Sequence, residues 1–304
     1  MLVPRRFAPG RRGIVLLRTS IDAKVSGTMF TSITPGGPVG EFVESIWLHE
    51  GGNPARRAEL RLPTGAVELM FNLREDSFRL PGGTASSGIS RGAVVAGPYR
   101  RAYVLDTTQQ SRVLGVVFRP GGARPLVEAP LHELCERHVP LEELWGADAD
   151  LVRERVLAAP DAGARLRTLE SVLRERLARR AEAAHSAVAH PAAVAATACL
   201  SGALGSRRIG RLGERLGWTP RRVEQVFRAD VGLSPKAYQR LWRFRAALEG
   251  IDEAGRLGWP AFATAHGYYD QAHLIREFRS HCGLPPTEYL RRRGERLNHV
   301  PLPV

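Results

Sequence analysis

Apolar positions follow two different rhythms along this chain, and the change between them divides it. From Phe30 to about Arg119, short apolar runs within "AVELMFNL", "AVVAG", "AYVLD" and "SRVLGVVFRPGG" are bounded by Gly, Pro and other turn formers. That pattern predicts a small all-β unit. After Gly122 the spacing becomes three and four. In "ADLVRERVLAAPDAGARLRTLESVLRERLARRAEAA" the residues Leu166, Leu169, Val172, Leu173 and Leu177 share one helix face, which predicts a helical tail over residues 123–185. The Ala-rich stretch "HSAVAHPAAVAATACLSGALGS" opens a new segment, so a domain boundary is expected near residues 184–191.

Beyond that boundary the chain repeats itself. A shift of 51 positions lays Phe227 on Phe278, Arg228 on Arg279, Gly232 on Gly283, Leu233 on Leu284, Pro235 on Pro286 and Tyr238 on Tyr289. Thr219 and Asp270, both good N-caps, open the two helices. Internal duplication explains this better than two unrelated amphipathic helices. Each copy is laid out as a helix-turn-helix. In the first, "RRIGRLGERLG" buries Ile209, Leu212 and Leu216, Gly217 makes the turn, and a helix from Pro220 turns Val223, Val226 and Phe227 inward. In the second, "WPAFATAHG" is the short helix, Gly267 the turn, and Leu274 and Phe278 face the core. Between the copies, "SPKAYQRLWRFRAALEG" predicts one helix with Tyr238, Leu241, Trp242 and Leu248 inward. Such a helix would hold two readers about 34 Å apart, the spacing of successive major grooves.

Charge sharpens this division. Residues 1–28 carry six Lys/Arg and one acid, residues 29–199 carry twenty of each sign, and residues 200–304 carry eighteen basic against ten acidic side chains. A basic domain joined to a neutral one suggests that only the C-terminal part meets a polyanion. Residues 1–28 are expected to be a disordered basic extension, with Met29 an alternative start, and residues 294–304 a tail. Cys135, Cys199 and Cys282 form no CxxC, and no apolar run is long enough to cross a bilayer, so a cytoplasmic protein without a metal site is expected.

The outward faces of the repeated helices suit a reader of double-stranded DNA. One presents Arg221, Arg222, Glu224, Gln225 and Arg228; the other presents Gln271, His273, Arg276 and Arg279. Arg pairs bidentately with guanine and Gln with adenine, while flanking Arg residues (here Arg222, Arg228 and Arg279) hold phosphates.

The segments "GWTPRRVEQVFRADVGLSPKAYQRLWRFRAAL" and "AHGYYDQAHLIREFRSHCGLPPTEYL" closely resemble the DNA-binding domain of the AraC/XylS family of bacterial transcription regulators, over residues 190–293. By position, the resemblance implies base reading by Arg221, Glu224 and Gln225, and by Gln271, Ala272, His273, Ile275 and Arg276. Ala272 and Ile275 can offer only apolar contact to a thymine methyl, and Glu224 could accept from cytosine. The strongest candidates are Arg221, Gln225, Gln271 and Arg276.

"LPTGAVELMFNL", "GVVFRPGGARPL" and "VPLEELWG" resemble the cupin-like sensor domain of one branch of that family. The expected fold is α+β in two domains: a cupin-like barrel with a helical tail over 29–185, then an all-α domain of two helix-turn-helix units joined by a linker helix. The resemblance implies a small-molecule effector or a homodimer for the first domain. Glu68 is a candidate pocket residue, a hydrogen-bonded buried carboxylate or an edge-strand position, and Arg119 an anion binder or the tie of its own loop. The HxH pair of metal-binding cupins is absent, with His49, His132 and His138 isolated. No catalytic residue and no cofactor are expected. The alternative, a cupin-like enzyme or DNA-modification sensor tethered to DNA by the basic domain, lacks a His/Glu cluster or a partnered reactive Cys.

Overall fold

The computed structural model describes residues 29–51, 58–80, 88–184, 214 and 217–302. The extension at 1–28, most of the expected interdomain boundary, and Ile209, Leu212 and Leu216 lie outside them. The N-terminal domain is built on an antiparallel six-stranded sheet. Its order is β1 (Met29–Ile33), β2 (Val43–Glu50), β9 (Arg112–Phe118), β4 (Glu68–Asn72), β7 (Ala93–Ala96) and β10 (His138–Pro140). A second sheet contains β3 (Ala58–Arg61) and β8 (Tyr103–Asp106), and a short ribbon pairs β5 (Phe78–Arg79) with β6 (Ile89–Ser90).

Alternation along the central strands sends side chains to two different interiors. On β4, Leu69 and Phe71 join Ile46, Leu48, Val95, Leu114 and Val116 on the face covered by helices. Met70 points the other way, with Val94, Ala96 and Val113, toward Phe78 and the ribbon. The covering helices are α1 (Gly37–Phe42), α2 (Arg124–Val127), α3 (Leu141–Trp145), α4 (Asp148–Ala158) and α5 (Ala162–Ala184). The predicted stripe on α5, from Leu166 to Leu177, is buried throughout, and each such side chain contributes about 1.5–3 kcal/mol. Trp145 donates its indole N–H to Leu126 O at 2.8 Å, while Arg176 lies 4.0 Å over its ring and reaches Asp148 at 2.8 Å. These contacts fix α5 to α3 and the start of α4. One expectation needs correcting: the helical tail is interrupted by β10, whose Val139 pairs with Val95 at the sheet edge.

The C-terminal domain is helical: α6 (Pro220–Val231), α7 (Pro235–Glu249), α8 (Ala254–Leu257), α9 (Trp259–Ala265), α10 (Gln271–Cys282) and α11 (Pro286–Arg292). The duplication is reproduced in three dimensions. Helices α6 and α10 both have twelve residues, and their bounds differ by the same 51 positions as the sequence match. Thr219 accepts from the Arg222 N–H at 3.3 Å and Asp270 from the His273 N–H at 2.6 Å. Each copy also carries the same aromatic pair, packed edge to face. Phe227 and Tyr238 have centroids 5.5 Å apart, and Phe278 and Tyr289 5.6 Å. Gly217 and Gly267 turn with φ of +65° and +76°, where a Cβ would be strained.

Along α7, Tyr238, Leu241 and Leu248 face inward as expected, but Trp242 does not complete that face. Phe244 is fully buried there instead, while Trp242 is half-buried beneath Arg245. The expected tail is also more than an appendage. Residues His299–Pro301 form β11, which pairs antiparallel with β3, Val300 opposite Leu60. Leu62 then joins a buried cluster with Phe227, Leu241, Phe278, Tyr289 and Val300. The two domains therefore share part of a core.

Candidate nucleic-acid interface and ligand cavity

On α6, burial of Val223, Val226 and Phe227 leaves the opposite face to solvent. Arg221, Arg222, Glu224, Gln225 and Arg228 are all exposed there. Arg222 stacks over Trp218 at 5.6 Å, and Glu224 pairs loosely with Arg228 at 3.9 Å, one turn along. Such an exposed pair is weak and easily exchanged for phosphate or base. On α10, Ala272, Arg276 and Arg279 are exposed, whereas Gln271 and Ile275 are half-buried at the edge of the same face.

His273 is differently placed. Its Nδ1 accepts from the Tyr269 N–H at 3.2 Å, and its Nε2 lies 3.5 Å from Glu277. Both ring nitrogens thus serve the local fold, because the ring folds back over the turn that starts the helix. Beside it Tyr269 is 90% exposed. "GYYD" holds two tyrosines, and only Tyr268 is buried in the core, which leaves Tyr269 free to meet a partner on the face of α10.

Glu277 is a second residue that the repeat pattern does not single out as functional. This carboxylate is buried on α10 and accepts from Arg240 at 2.7 Å and from Arg243 at 2.8 and 3.2 Å, both on α7. Burial alone would raise its pKa, but Arg243 and Arg240 more than offset that and hold it below the ordinary glutamate value. The first copy has Val226 at the matching position. The exchange of an apolar residue for a carboxylate there was the available signal that α10 is tied to α7 by charge.

In the N-terminal domain a cavity of about 660 Å³ lies between the sheets. Met70, Phe78, Leu80, Val94 and Leu105 form much of its wall, with His138 among them. His138 shares a 2.7 Å hydrogen bond with the Tyr99 hydroxyl, and burial, helped by the charge of Arg61, pushes its pKa down to about 4. It is a neutral imidazole at pH 7. Arg79, also in the wall, is held by Asp106 at 2.8 and 3.1 Å and by Thr108 at 2.8 Å.

Neither sequence-derived pocket candidate lines this cavity. Glu68 is buried in a 2.9 Å ion pair with Arg61, because it faces the second sheet where β3 crosses. Arg119 is exposed and donates to Gly40 O at 2.8 Å, tying its loop to α1. Among the described residues, no cluster of three or more His, Cys, Asp or Glu side chains is arranged to hold a metal ion, and no helix is long and apolar enough to cross a membrane.

Comparison with known proteins agrees with this division. A family described as a helix-turn-helix domain matches residues 212–292, and one described as a domain of unknown function (DUF6597) matches residues 31–140. No curated protein sequence matches the chain. Among solved structures, unsaturated fatty acid bound wild-type ToxT from Vibrio cholerae is similar at 11% identity and a TM-score of 0.41, over 77% of this chain and 91% of that one. A second ToxT structure from Vibrio cholerae is similar at 10% identity and a TM-score of 0.35, over 86% and 97%. The repeated, equally long helices α6 and α10 both fall inside the matched helix-turn-helix segment, so the chain joins a β-rich domain to a C-terminal helical domain that carries a helix-turn-helix match.

Proposed function

We propose that this chain is a transcription regulator of the AraC/XylS type that reads DNA sequence with α6 and α10 in successive major grooves, and that an uncharged, largely apolar small molecule in the N-terminal cavity controls it. The observation that carries the reading is the pair of identically capped helices, 51 positions apart, with Arg and Gln on their solvent faces. Arg221, Gln225, Gln271 and Arg276 read base edges, and Arg222, Arg228 and Arg279 hold phosphates. Ala272 and Ile275 supply apolar contact, and Glu224 selects cytosine. His273 shapes the start of α10 and touches DNA from there. Such a regulator works in the cytoplasm, where its operator is.

The cavity favours a sensing role for the N-terminal domain over a purely dimerising one. Its wall is mostly apolar, and the cation at its edge, Arg79, is already neutralised by Asp106. A carboxylate ligand would enter without a free positive partner, and stripping its water is costly. Thermal shift of the full chain with 1-decanol and with decanoate at pH 7.5 tests this point. The alcohol is expected to raise the midpoint and the carboxylate to leave it unchanged; the reverse order would refute the ligand class. For the DNA-reading half, the test is binding of the parent and of Gln225→Ala to an enriched duplex and to its scrambled counterpart. Loss of discrimination in the variant supports the assignment, and unchanged discrimination removes Gln225 from it.

A further inference from the structure

Both recognition helices end on the same short stretch of the N-terminal domain. Residues 97–102 connect β7 to β8, and both of those strands contribute to the cavity wall, through Val94 on one side and Val104, Leu105 and Asp106 on the other. At the end of α6, Gly232 sits against this stretch so closely that a Cβ would come within 2.5 Å of Pro98 Cγ and 2.9 Å of Leu131 O. At the end of α10, the His281 imidazole donates from Nδ1 to Arg100 O at 2.6 Å, and the Ala102 N–H donates to His281 O at 2.8 Å. The two docking points lie at the C-terminal ends of matching helices, though at different residues of the repeat. His281 lies 51 positions after Asp230, which is buried 3.9 Å from Arg124 of the same domain.

Residues 97–102 are themselves anchored. The Gly97 N–H donates to Arg137 O at 2.9 Å, the Glu136 N–H donates to Pro98 O at 3.3 Å, and Arg100 pairs with Glu136 at 3.2 Å. A stretch held this firmly to the N-terminal domain, and touching the ends of two helices through Pro98, Arg100 and Ala102, fixes where those helices stand relative to one another.

We infer that residues 97–102 are a positioning element for DNA reading: through His281 and Gly232 they set the separation of the two recognition helices, and they transmit occupancy of the cavity to that separation. This rests on the DNA-reading role proposed above. One close steric contact at the end of α6 and two hydrogen bonds at the end of α10 are enough for such a task, because a packed interface shifts between discrete arrangements rather than deforming gradually. His281 is a positioning residue and does not need to touch DNA.

The test uses the full chain and an enriched duplex whose two half-motifs are moved apart or together by one or two base pairs. The parent is expected to prefer one separation steeply. His281→Leu removes the donor to Arg100 O and should flatten that preference by about fivefold or more. His281→Asn, which can place an amide N–H near the same carbonyl, should restore it. A purely structural role would instead weaken binding to every separation alike. Pro98→Ala, which leaves His281 intact, is the second variant and should flatten the preference from the α6 side. Val94→Trp fills the cavity in place of a ligand; it should change the preferred separation in the parent background and not in His281→Leu. Unchanged spacing preference in both His281→Leu and Pro98→Ala would overturn the inference. A parent that discriminates neither sequence nor spacing would instead refute the DNA-reading assignment.

Discussion

Replacing Glu277 with Gln removes the charge that ties α10 to α7. In the structure this side chain is 8% exposed and accepts three charge-assisted hydrogen bonds from Arg240 and Arg243. Removing one partner of a fully buried ion pair costs about 3–5 kcal/mol. Here Arg240 and Arg243 keep 44% and 24% of their side chains in solvent, so both can turn partly to water. That reduces the expected loss to about 2 kcal/mol. For a chain of this size it corresponds to a fall of about 3 °C in the midpoint. Differential scanning calorimetry of parent and variant at pH 7 measures it. The pH dependence has a definite sign. A carboxylate whose folded pKa is depressed stabilises above its unfolded value of 4.5, and that contribution is lost as pH falls through the folded pKa. The gap between parent and variant should therefore be full at pH 7 and shrink below pH 4.5. Equal midpoints at pH 7, or a gap that persists unchanged in acid, would refute the account of how α10 is held.

Arg276→Ala should weaken specific binding by about 1–3 kcal/mol and relax base preference at one position, leaving the thermal midpoint alone; equal binding to specific and scrambled duplexes in parent and variant would remove it from the readers. Arg279→Ala should weaken binding to all sequences alike and lower the slope of log K against log salt by about one, as measured by fluorescence anisotropy across a salt series. His299 should make the fold acid-sensitive, since burial first, and the adjacent Arg61 second, push its pKa down to about 4 while its Nδ1 donates to Glu59 at 2.8 Å. The unfolded chain takes up this proton first, so stability is flat above about pH 6.5 and falls toward pH 4, and His299→Asn should flatten part of that limb in a pH series of midpoints. Val300→Asp places a carboxylate in the shared core, where Val300 is 0% exposed, and should cost about 3 kcal/mol or more in the same calorimetric assay.

What the sequence made legible was local or periodic. The repeat, its caps, its turn glycines and the buried stripe of α5 all follow from residue type at fixed spacing, and each appears where the spacing places it. The α7 face was nearly legible. Counting from Tyr238 and Leu241 in steps of three reaches Phe244, and the bulk of Trp242 drew the reading one position early. What escaped depends on contacts between distant segments. No local pattern pairs Val300 with Leu60, so the last strand looked like a tail. The cavity needs β5, β7 and β8 together, and that Glu68 is a hydrogen-bonded buried carboxylate depends on its partner Arg61, on another sheet. Arg119 shows the same limit, because its carbonyl partner at Gly40 lies 79 positions away. Glu277 and His281 were within reach: each breaks the apolar or acidic character of its counterpart, Val226 or Asp230, in the first copy.

The most direct test of the central claim is selection of bound DNA by the full chain from a random duplex pool. Two half-motifs centred about one helical turn, roughly 10 base pairs, apart are predicted, one altered by substitutions at Arg221 and Gln225 and the other by substitutions at Gln271 and Arg276. Enrichment of a single short motif, or of none, would contradict the paired-reader account.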